Sequence, residues 1–154
     1  MAPREFRTHS AEETEALGRR FGAAAVGGEL IGLVGELGAG KTCLVRGLAG
    51  GLGADPDLVH SPTFTIHTRY RGRLILEHVD LYRLEGGLDD ELSLRDVLYG
   101  PGVAAVEWFE RLLPVAGDEF LVVNLRYTGR DERIIRCEAH GTRHGRLLAA
   151  LGHE

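Results

Sequence analysis

A segment in the N-terminal half of the chain places glycines, a lysine and a threonine at the spacing of a phosphate-binding loop. From Gly35 to Thr42 it reads Gly-Glu-Leu-Gly-Ala-Gly-Lys-Thr and matches the pattern G-x-x-x-x-G-K-[ST]. Glycines let the backbone N–H groups of such a loop face inward, and the start of the following helix adds unpaired donors and a partial positive charge. We expect Lys41 to reach the β- and γ-phosphates of a nucleotide and the Thr42 hydroxyl to bind Mg²⁺. The alternative is a glycine-rich turn between a strand and a helix.

Lys41 is the only lysine of the chain, and the rest of its 18 basic residues are arginines. This usage indicates that position 41 needs a compact ammonium and not a planar guanidinium, although chance survival of one lysine is the alternative. A guanine-specific Asn-Lys-x-Asp site is excluded because the lysine already belongs to the loop. The protein-kinase motifs are absent as well. The nucleotide is therefore expected to be ATP.

Two acidic residues follow apolar runs, where a carboxylate is costly unless it faces an ion or a partner. Asp80 comes directly after residues 74–79, and Glu107 comes directly after residues 103–106. A phosphate loop needs such a carboxylate for its metal at the end of a neighbouring strand. The alternative for each acid is a cap on a turn. Thr63, within Ser-Pro-Thr at residues 61–63, suits a switch that senses the γ-phosphate, or else an ordinary turn.

Composition limits the class of protein. The chain has 154 residues and a formal net charge of −5, which argues against bulk electrostatic coating of nucleic acid. No apolar run approaches the ~18 residues that a membrane span needs. The N-terminus is polar, without a signal-peptide core. Cys43 and Cys137 fit no paired motif, so a cytoplasmic protein without a membrane partner is expected.

Periodicity predicts an α/β fold with a parallel core sheet and antiparallel additions. A capping box at residues 10–13 begins a helix that ends at residues 27–28. The further helices are predicted at residues 41–49, 88–98 and 143–151, and single strands at residues 30–34 and 103–106. Two hairpins are predicted, from residues 64–70 with 73–79 and from residues 120–127 with 133–138.

Two further groups of residues have a functional and a plain interpretation. Cys137, His140 and His144 are potential metal ligands, but they lack a fourth partner and lie in an arginine-rich stretch. An exposed, solvated tail is the favoured interpretation. Arginines cluster at the tip of the first predicted hairpin, where they serve either solubility or contact with a phosphate or RNA. These are Arg69, Arg71 and Arg73.

The chain from Ser10 to near Leu148 resembles the bacterial TsaE (YjeE) family, small P-loop ATPases needed to make threonylcarbamoyladenosine in tRNA. The resemblance is strongest in the phosphate loop, in Ser61-Pro62-Thr63-Phe64-Thr65, in His78-Val79-Asp80-Leu81-Tyr82-Arg83-Leu84 and in Val106-Glu107-Trp108. It implies one P-loop ATPase domain over residues 1–154, with helices on both faces of the sheet and loose ends at residues 1–8 and 150–154. Three departures are Glu36 for the common aspartate, Cys43 for a second threonine, and Phe109 for the proline usual after Glu-Trp.

The resemblance also implies roles for individual residues. Lys41, Asp80 and Glu107 would be catalytic, and Thr42, Glu107 and Asp80 would hold Mg²⁺. Thr63 would belong to the first switch, Trp108 would lie close to the nucleotide, and residues 10–14 would approach the adenine. The expected nucleotide-binding residues are Glu36, Leu37, Gly38, Ala39, Gly40, Lys41, Thr42, Cys43, Thr63 and Trp108.

The function expected from the loop and the resemblance is slow ATP hydrolysis that is activated by partners. No arginine finger is identifiable in the sequence, and such a finger contributes on the order of 10³–10⁵ in rate. The family implies action on the transferase complex of TsaB and TsaD, with tRNA involved indirectly. The alternatives are a small-molecule kinase and a nucleotide-dependent binding module without useful catalysis.

Overall fold

The computed structural model of the protein describes residues 3–35, 40–60, 67–81, 97–112 and 116–152. Three α-helices lie within these ranges: α1 (Ala11–Ala24), α2 (Lys41–Gly51) and α3 (Thr142–Ala150). The strands are β1 (Arg4–Thr8), β2 (Leu30–Val34), β3 (His67–Arg71), β4 (Ile75–Asp80), β5 (Val103–Glu107), β6 (Phe120–Tyr127) and β7 (Arg133–His140). Short 3-10 helices form at Pro56–Leu58 and Phe109–Arg111.

The described strands form one sheet in the order β1-β7-β6-β2-β5-β4-β3. At its centre, β2 pairs in parallel with β5 and β6, and β4 pairs in parallel with β5. The outer pairs β1–β7, β6–β7 and β3–β4 are antiparallel. The predicted α/β class, with a parallel core and antiparallel additions, is confirmed. Because β2, β4 and β5 are parallel, their carboxyl ends meet at one edge of the sheet.

Alternation along the strands divides the core between the two faces of the sheet. On one face, Ile31, Leu33 and Ala105 pack with buried residues of α1, α2 and α3. On the other face, residues such as Val106 pack with Leu98, Phe109 and Leu112. Of the predicted helix at residues 88–98, only residues 97 and 98 fall within the described ranges, and both are helical.

Glycines allow α1 and α2 to pack backbone against backbone. A Cβ added at Gly18 would lie 2.2 Å from the carbonyl oxygen of Leu44, and one added at Gly47 would lie 1.9 Å from that of Glu15. Real Cβ atoms do not approach so closely, so these positions exclude any side chain. This helix pair therefore accounts for several of the 22 glycines of the chain.

The N-terminus of α1 has the predicted cap. The Ser10 hydroxyl accepts a hydrogen bond from the Glu13 backbone N–H at 3.1 Å, and the Glu13 carboxylate accepts one from the His9 N–H at 2.9 Å. These contacts satisfy donors that a helix start leaves without intrahelical partners. Ser10 thus fixes where α1 begins, next to the end of β1.

The structure corrects two expectations about the ends of the chain. Arg4–Thr8 is an edge strand paired with β7, whereas residues 1–8 were expected to be loose. Cys137 of β7 and His144 of α3 are buried, whereas a solvated tail was expected for this stretch. Alternation along β7 points Ile135 and Cys137 into the core, and the exposed Arg136 between them obscures that pattern in the sequence. Among the described helices, none combines the length and apolarity that crossing a membrane requires.

Candidate functional site

The predicted phosphate loop joins the central strand to the second helix. β2 ends at Val34, Gly35 follows, and α2 begins at Lys41. Gly40 caps α2 with φ 101°, a left-handed backbone conformation that side chains disfavour by roughly 1–2 kcal/mol. Residues 36–39, and with them the predicted ligands Glu36, Leu37, Gly38 and Ala39, lie outside the described residues.

Lys41 turns its side chain back over the start of the loop. Its Nζ donates a hydrogen bond to the Gly35 carbonyl oxygen at 2.9 Å and lies 4.8 Å from the centroid of the Trp108 ring. The residue is only 5% exposed. Among the described residues, this buried cation is therefore held by a neutral carbonyl and an aromatic face, and neither neutralises its charge.

The turn after β5 holds Trp108 in position. Trp108 has φ 59° and ψ 41°, and it is the one non-glycine residue with positive φ in the described part of the chain. The next residue, Phe109, is fully buried against Gly32 of β2, where an added Cβ would lie 2.1 Å from the Phe109 ring. Phe109 thus anchors the turn at the position where the resemblance led us to expect a proline. A bulky residue in a left-handed conformation is costly and is characteristic of functional sites.

The two predicted acids are neighbours across parallel strands. Asp80 of β4 is in register with Glu107 of β5, and Glu107 is in register with Leu33 of β2, close to the point where β2 enters the loop. Glu107 is only 4% exposed, and Asp80 is partly exposed. The structure therefore brings both carboxylates to the edge of the sheet from which the phosphate loop begins.

His78 was not identified as a site residue from the sequence. Its Nε2 lies 2.6 Å from Oε2 of Glu107, and its ring is fully buried. The feature of the sequence that could have identified His78 is its place within an apolar run, two residues before Asp80. Its pairing with Glu107 depends on the register between β4 and β5, which spacing along the chain does not reveal.

A cleft of about 450 Å³ opens beside the loop, a volume typical of small-molecule sites. Gly35, Trp108, Asn124 and Tyr127 are among its lining residues, and it lies at the carboxyl ends of β2, β5 and β6. In open α/β sheets, ligands bind at this edge. The guanidinium of Arg133 lies 3.8 Å from the Tyr127 ring centroid, a contact that spacing along the chain does not reveal.

The start of α1 lies against the start of α2. A Cβ built at Gly40 would stand 3.7 Å from Cγ2 of Thr14 and 3.6 Å from Nε of Arg133. The Thr14 hydroxyl in turn contacts the Thr8 hydroxyl at 2.8 Å. The segment at residues 10–14, expected near the adenine, therefore ends beside the loop.

The remaining predicted nucleotide ligands are Thr42, Cys43 and Thr63. Thr42 and Cys43 lie in the first turn of α2, and both are partly exposed. Thr63 lies outside the described residues. Within the ranges that are described, no three or more His, Cys, Asp or Glu side chains group into a potential metal cluster.

The donor set fits a magnesium nucleotide. The loop supplies a glycine-capped helix start and an ammonium without a neutralising carboxylate among the described residues, both suited to phosphate. Oxygen ligands suit Mg²⁺, and Thr42, Asp80 and Glu107 offer hydroxyl and carboxylate oxygens near the same edge.

Two of the three arginines of the first hairpin, Arg69 and Arg73, make structural contacts, and Arg71 is exposed. Arg69 donates to both oxygens of Glu77, from Nε at 2.7 Å and from Nη2 at 3.0 Å. Arg73 donates to the Gly22 carbonyl oxygen at 2.6 Å. Burial raises the pKa of Glu77, but the hydrogen bonds from Arg69 and His67 outweigh it and hold that pKa below its ordinary value.

The fold and the loop together define a P-loop NTPase-type protein. The family model described as "Threonylcarbamoyl adenosine biosynthesis protein TsaE" matches residues 8–135. The chain therefore belongs to the TsaE family of threonylcarbamoyl adenosine biosynthesis proteins.

Individual relatives agree with this family. The chain is 40% identical over 152 residues to the tRNA threonylcarbamoyladenosine biosynthesis protein TsaE of Bacillus subtilis (strain 168), covering 98% of this chain and 95% of the relative. It is 38% identical over 130 residues to the protein of the same name from Treponema pallidum (strain Nichols), covering 83% of this chain and 95% of that relative. Among solved structures, Bacillus subtilis YdiB superposes with a TM-score of 0.82 at 35% identity, covering 97% of this chain and 94% of YdiB.

Proposed function

We propose that this chain binds ATP with Mg²⁺ at its phosphate loop and hydrolyses it slowly in the service of threonylcarbamoyladenosine modification of tRNA. The observation that carries the proposal is the buried ammonium of Lys41, which rests on the Gly35 carbonyl and the Trp108 ring. A buried charge is costly without a counter-charge, so the site is suited to an anionic ligand. Membership of the TsaE family supports the biosynthetic setting.

In this proposal, each of the described site residues has its own role. Lys41 and the N–H groups at the start of α2 bind and stabilise negative charge on the phosphates. Thr42 and Glu107, with Asp80 beside them, would hold Mg²⁺, which supplies charge neutralisation at the β- and γ-phosphate oxygens. Trp108 covers the ammonium and limits its access to water.

The acceptor in this reaction is water, and a carboxylate must orient it. Asp80 and Glu107 both qualify by position, because they are in register at the edge next to the loop. Hydrolysis forms a bond from the water oxygen to the γ-phosphorus and breaks the bond from that phosphorus to the β,γ-bridging oxygen, so that ADP and inorganic phosphate are released. The proton of the water passes to the carboxylate or to phosphate.

Slow turnover and dependence on partners belong to the same proposal. Arg133 lies near Gly40, but it stacks on Tyr127 and donates to the Glu132 carbonyl oxygen at 3.2 Å. Its guanidinium is thus already engaged in contacts within this chain. We infer that TsaB and TsaD form the complex on which the ATPase acts, and that tRNA is involved through that complex.

No specific observation favours either of the two alternative functions. A small-molecule kinase needs a mobile, arginine-bearing lid, and the hairpin that offers arginines holds Arg69 and Arg73 in structural contacts. The paired acids at the loop edge suit Mg²⁺ in a binding module as well as in an ATPase, so the measurement of turnover decides between these two functions.

The test is ATP hydrolysis measured for the chain alone, then with TsaB and TsaD, and then with tRNA added. We expect slow release of phosphate alone and faster release with the partners. Lys41→Ala should abolish turnover and tRNA modification. Lys41→Arg should fail too, because a planar guanidinium does not replace the compact ammonium. Full activity of Lys41→Ala would refute the proposal, and a phosphorylated metabolite in place of free phosphate would favour the kinase.

A further inference from the structure

His78 occupies an unusual position for a buried polar residue. Its side chain is fully buried, and its one hydrogen bond among the described residues joins Nε2 to Oε2 of Glu107 at 2.6 Å. The other ring nitrogen, Nδ1, has no hydrogen-bond partner there. Leaving such an atom without a partner costs about 1–3 kcal/mol. The ring is therefore not held in place by a polar network of its own.

The sheet explains why His78 can reach Glu107. His78 and Asp80 are two residues apart on β4 and so lie on the same face of the sheet. Directly opposite His78 on β5 stands Ala105, whose methyl group leaves room for the imidazole to lean toward Glu107, two residues further on. The contact thus follows from the parallel register and from a small residue at position 105.

A stabilising role alone accounts poorly for this pair. A buried charged or polar pair is often matched or exceeded in stability by apolar residues of similar volume. Here the pair also carries an unsatisfied nitrogen. What the contact does supply is orientation, because one carboxylate oxygen of Glu107 is fixed while Oε1 takes no part in that hydrogen bond.

We propose that His78 is a positioning residue, which holds the Glu107 carboxylate in the orientation that Mg²⁺ binding requires. This inference rests on the proposed function, since it gives Glu107 a metal to bind. Nε2–H donates to Oε2, so rotation of the carboxylate is restricted and Oε1 remains available as an oxygen ligand. Partners of this kind, one step removed from a metal, typically change its affinity by about 10–100-fold.

The experiment measures metal binding directly. Electron paramagnetic resonance of Mn²⁺, used in place of Mg²⁺, gives the affinity of the ADP-loaded chain for the metal. A fluorescent ADP analogue gives nucleotide affinity with and without the metal. His78→Leu should weaken Mn²⁺ binding by about tenfold or more, while metal-free nucleotide affinity changes less than twofold.

Conservative variants distinguish orientation from packing. His78→Gln keeps a donor near the position of Nε2 and should restore most of the Mn²⁺ affinity. His78→Asn is too short to reach Glu107 and should behave as His78→Leu does. In a Glu107→Gln background, His78→Leu should cause no further loss of metal affinity. His144→Leu removes a buried histidine remote from the loop and should leave Mn²⁺ affinity unchanged.

The outcomes separate this inference from the proposed function. Unchanged Mn²⁺ affinity in folded His78→Leu, or equal losses in His78→Gln and His78→Asn, would overturn the role of His78 while leaving the ATPase proposal intact. If His78→Leu does not fold, the comparison of His78→Gln with His78→Asn decides. A wild-type chain without metal-linked nucleotide binding would overturn both.

Discussion

The ammonium of Lys41 stands over the ring of Trp108, with Nζ 4.8 Å from the ring centroid. Lys41 opens the helix after the phosphate loop, and Trp108 follows the strand that carries Glu107, so the contact joins two separate parts of the site. A cation over an indole face is worth roughly 0.5–2 kcal/mol, depending on solvation. That is weak enough for a phosphate to displace it.

Trp108 should therefore report nucleotide binding. The chain has one tryptophan, so its emission comes from this site alone. ATP with Mg²⁺ should draw the ammonium from the ring toward phosphate and change the emission in a saturable titration. Lys41→Ala should differ from wild type before nucleotide is added and should not respond afterwards. Saturable binding of nucleotide with constant Trp108 emission would contradict this arrangement.

Gly40→Ala should weaken both stability and nucleotide binding. Its φ of 101° costs a side chain roughly 1–2 kcal/mol, although the space around the added methyl group is open, with the nearest atom at 3.6 Å. Gly117→Ala is the matched control, because Gly117 has φ 79° and no heavy atom within 4 Å of its Cβ position. Chemical denaturation should show similar losses for the two variants, but only Gly40→Ala should lower nucleotide affinity. Equal nucleotide affinity in the two variants would show that the backbone conformation of Gly40 does not contribute to nucleotide binding.

Two glycines of α2 should respond oppositely to alanine. At Gly47 the added carbon would lie 1.9 Å from the Glu15 carbonyl oxygen, so Gly47→Ala must push α1 and α2 apart and should cost at least ~1–3 kcal/mol. At Gly50 the nearest atom is 3.9 Å away, and Gly50→Ala should stabilise the helix by about 0.5–1 kcal/mol. Urea unfolding of both variants measures the difference. A tolerated Gly47→Ala would show that the helices have room to separate.

Acid should destabilise the fold through His144. Burial lowers its pKa below 6.5, against the opposing effect of Glu29 and Glu119 and with a smaller contribution from Arg143. Its Nε2 accepts a hydrogen bond from the Leu30 N–H at 3.0 Å, which requires an unprotonated nitrogen. The unfolded chain then binds more protons than the folded chain between the lowered pKa and about 6.5. Stability is full above that range and falls as pH decreases through it.

The measurement is the free energy of unfolding of wild type and of His144→Gln as a function of pH. The variant should be less stable at pH 8, and its stability should change less between pH 7 and 5. Parallel curves for the two proteins would assign the acid sensitivity to other groups.

Local patterns predicted the loop, the central strands and both acids, because each of these features depends on residues that are adjacent in the sequence. Gly35, Lys41, Asp80 and Glu107 stand at the ends of elements whose periodicity is clear. Residues paired across the sheet could not be predicted in the same way. The strand β1 is stabilised by β7 far along the chain, and the contact of His78 with Glu107 depends on register. The left-handed turn at Trp108 depends on how Phe109 fits against Gly32.

The glycine contacts between α1 and α2 have a mechanical consequence. Carbonyl oxygens and α-carbons meet directly there, so no flexible side chain lies between the helices to absorb a shift. Ser10 and Gly40, at the starts of the two helices, are thereby kept at a constant spacing. A ligand that contacts both helix starts would therefore meet two groups whose separation is set by the packing of the main chain.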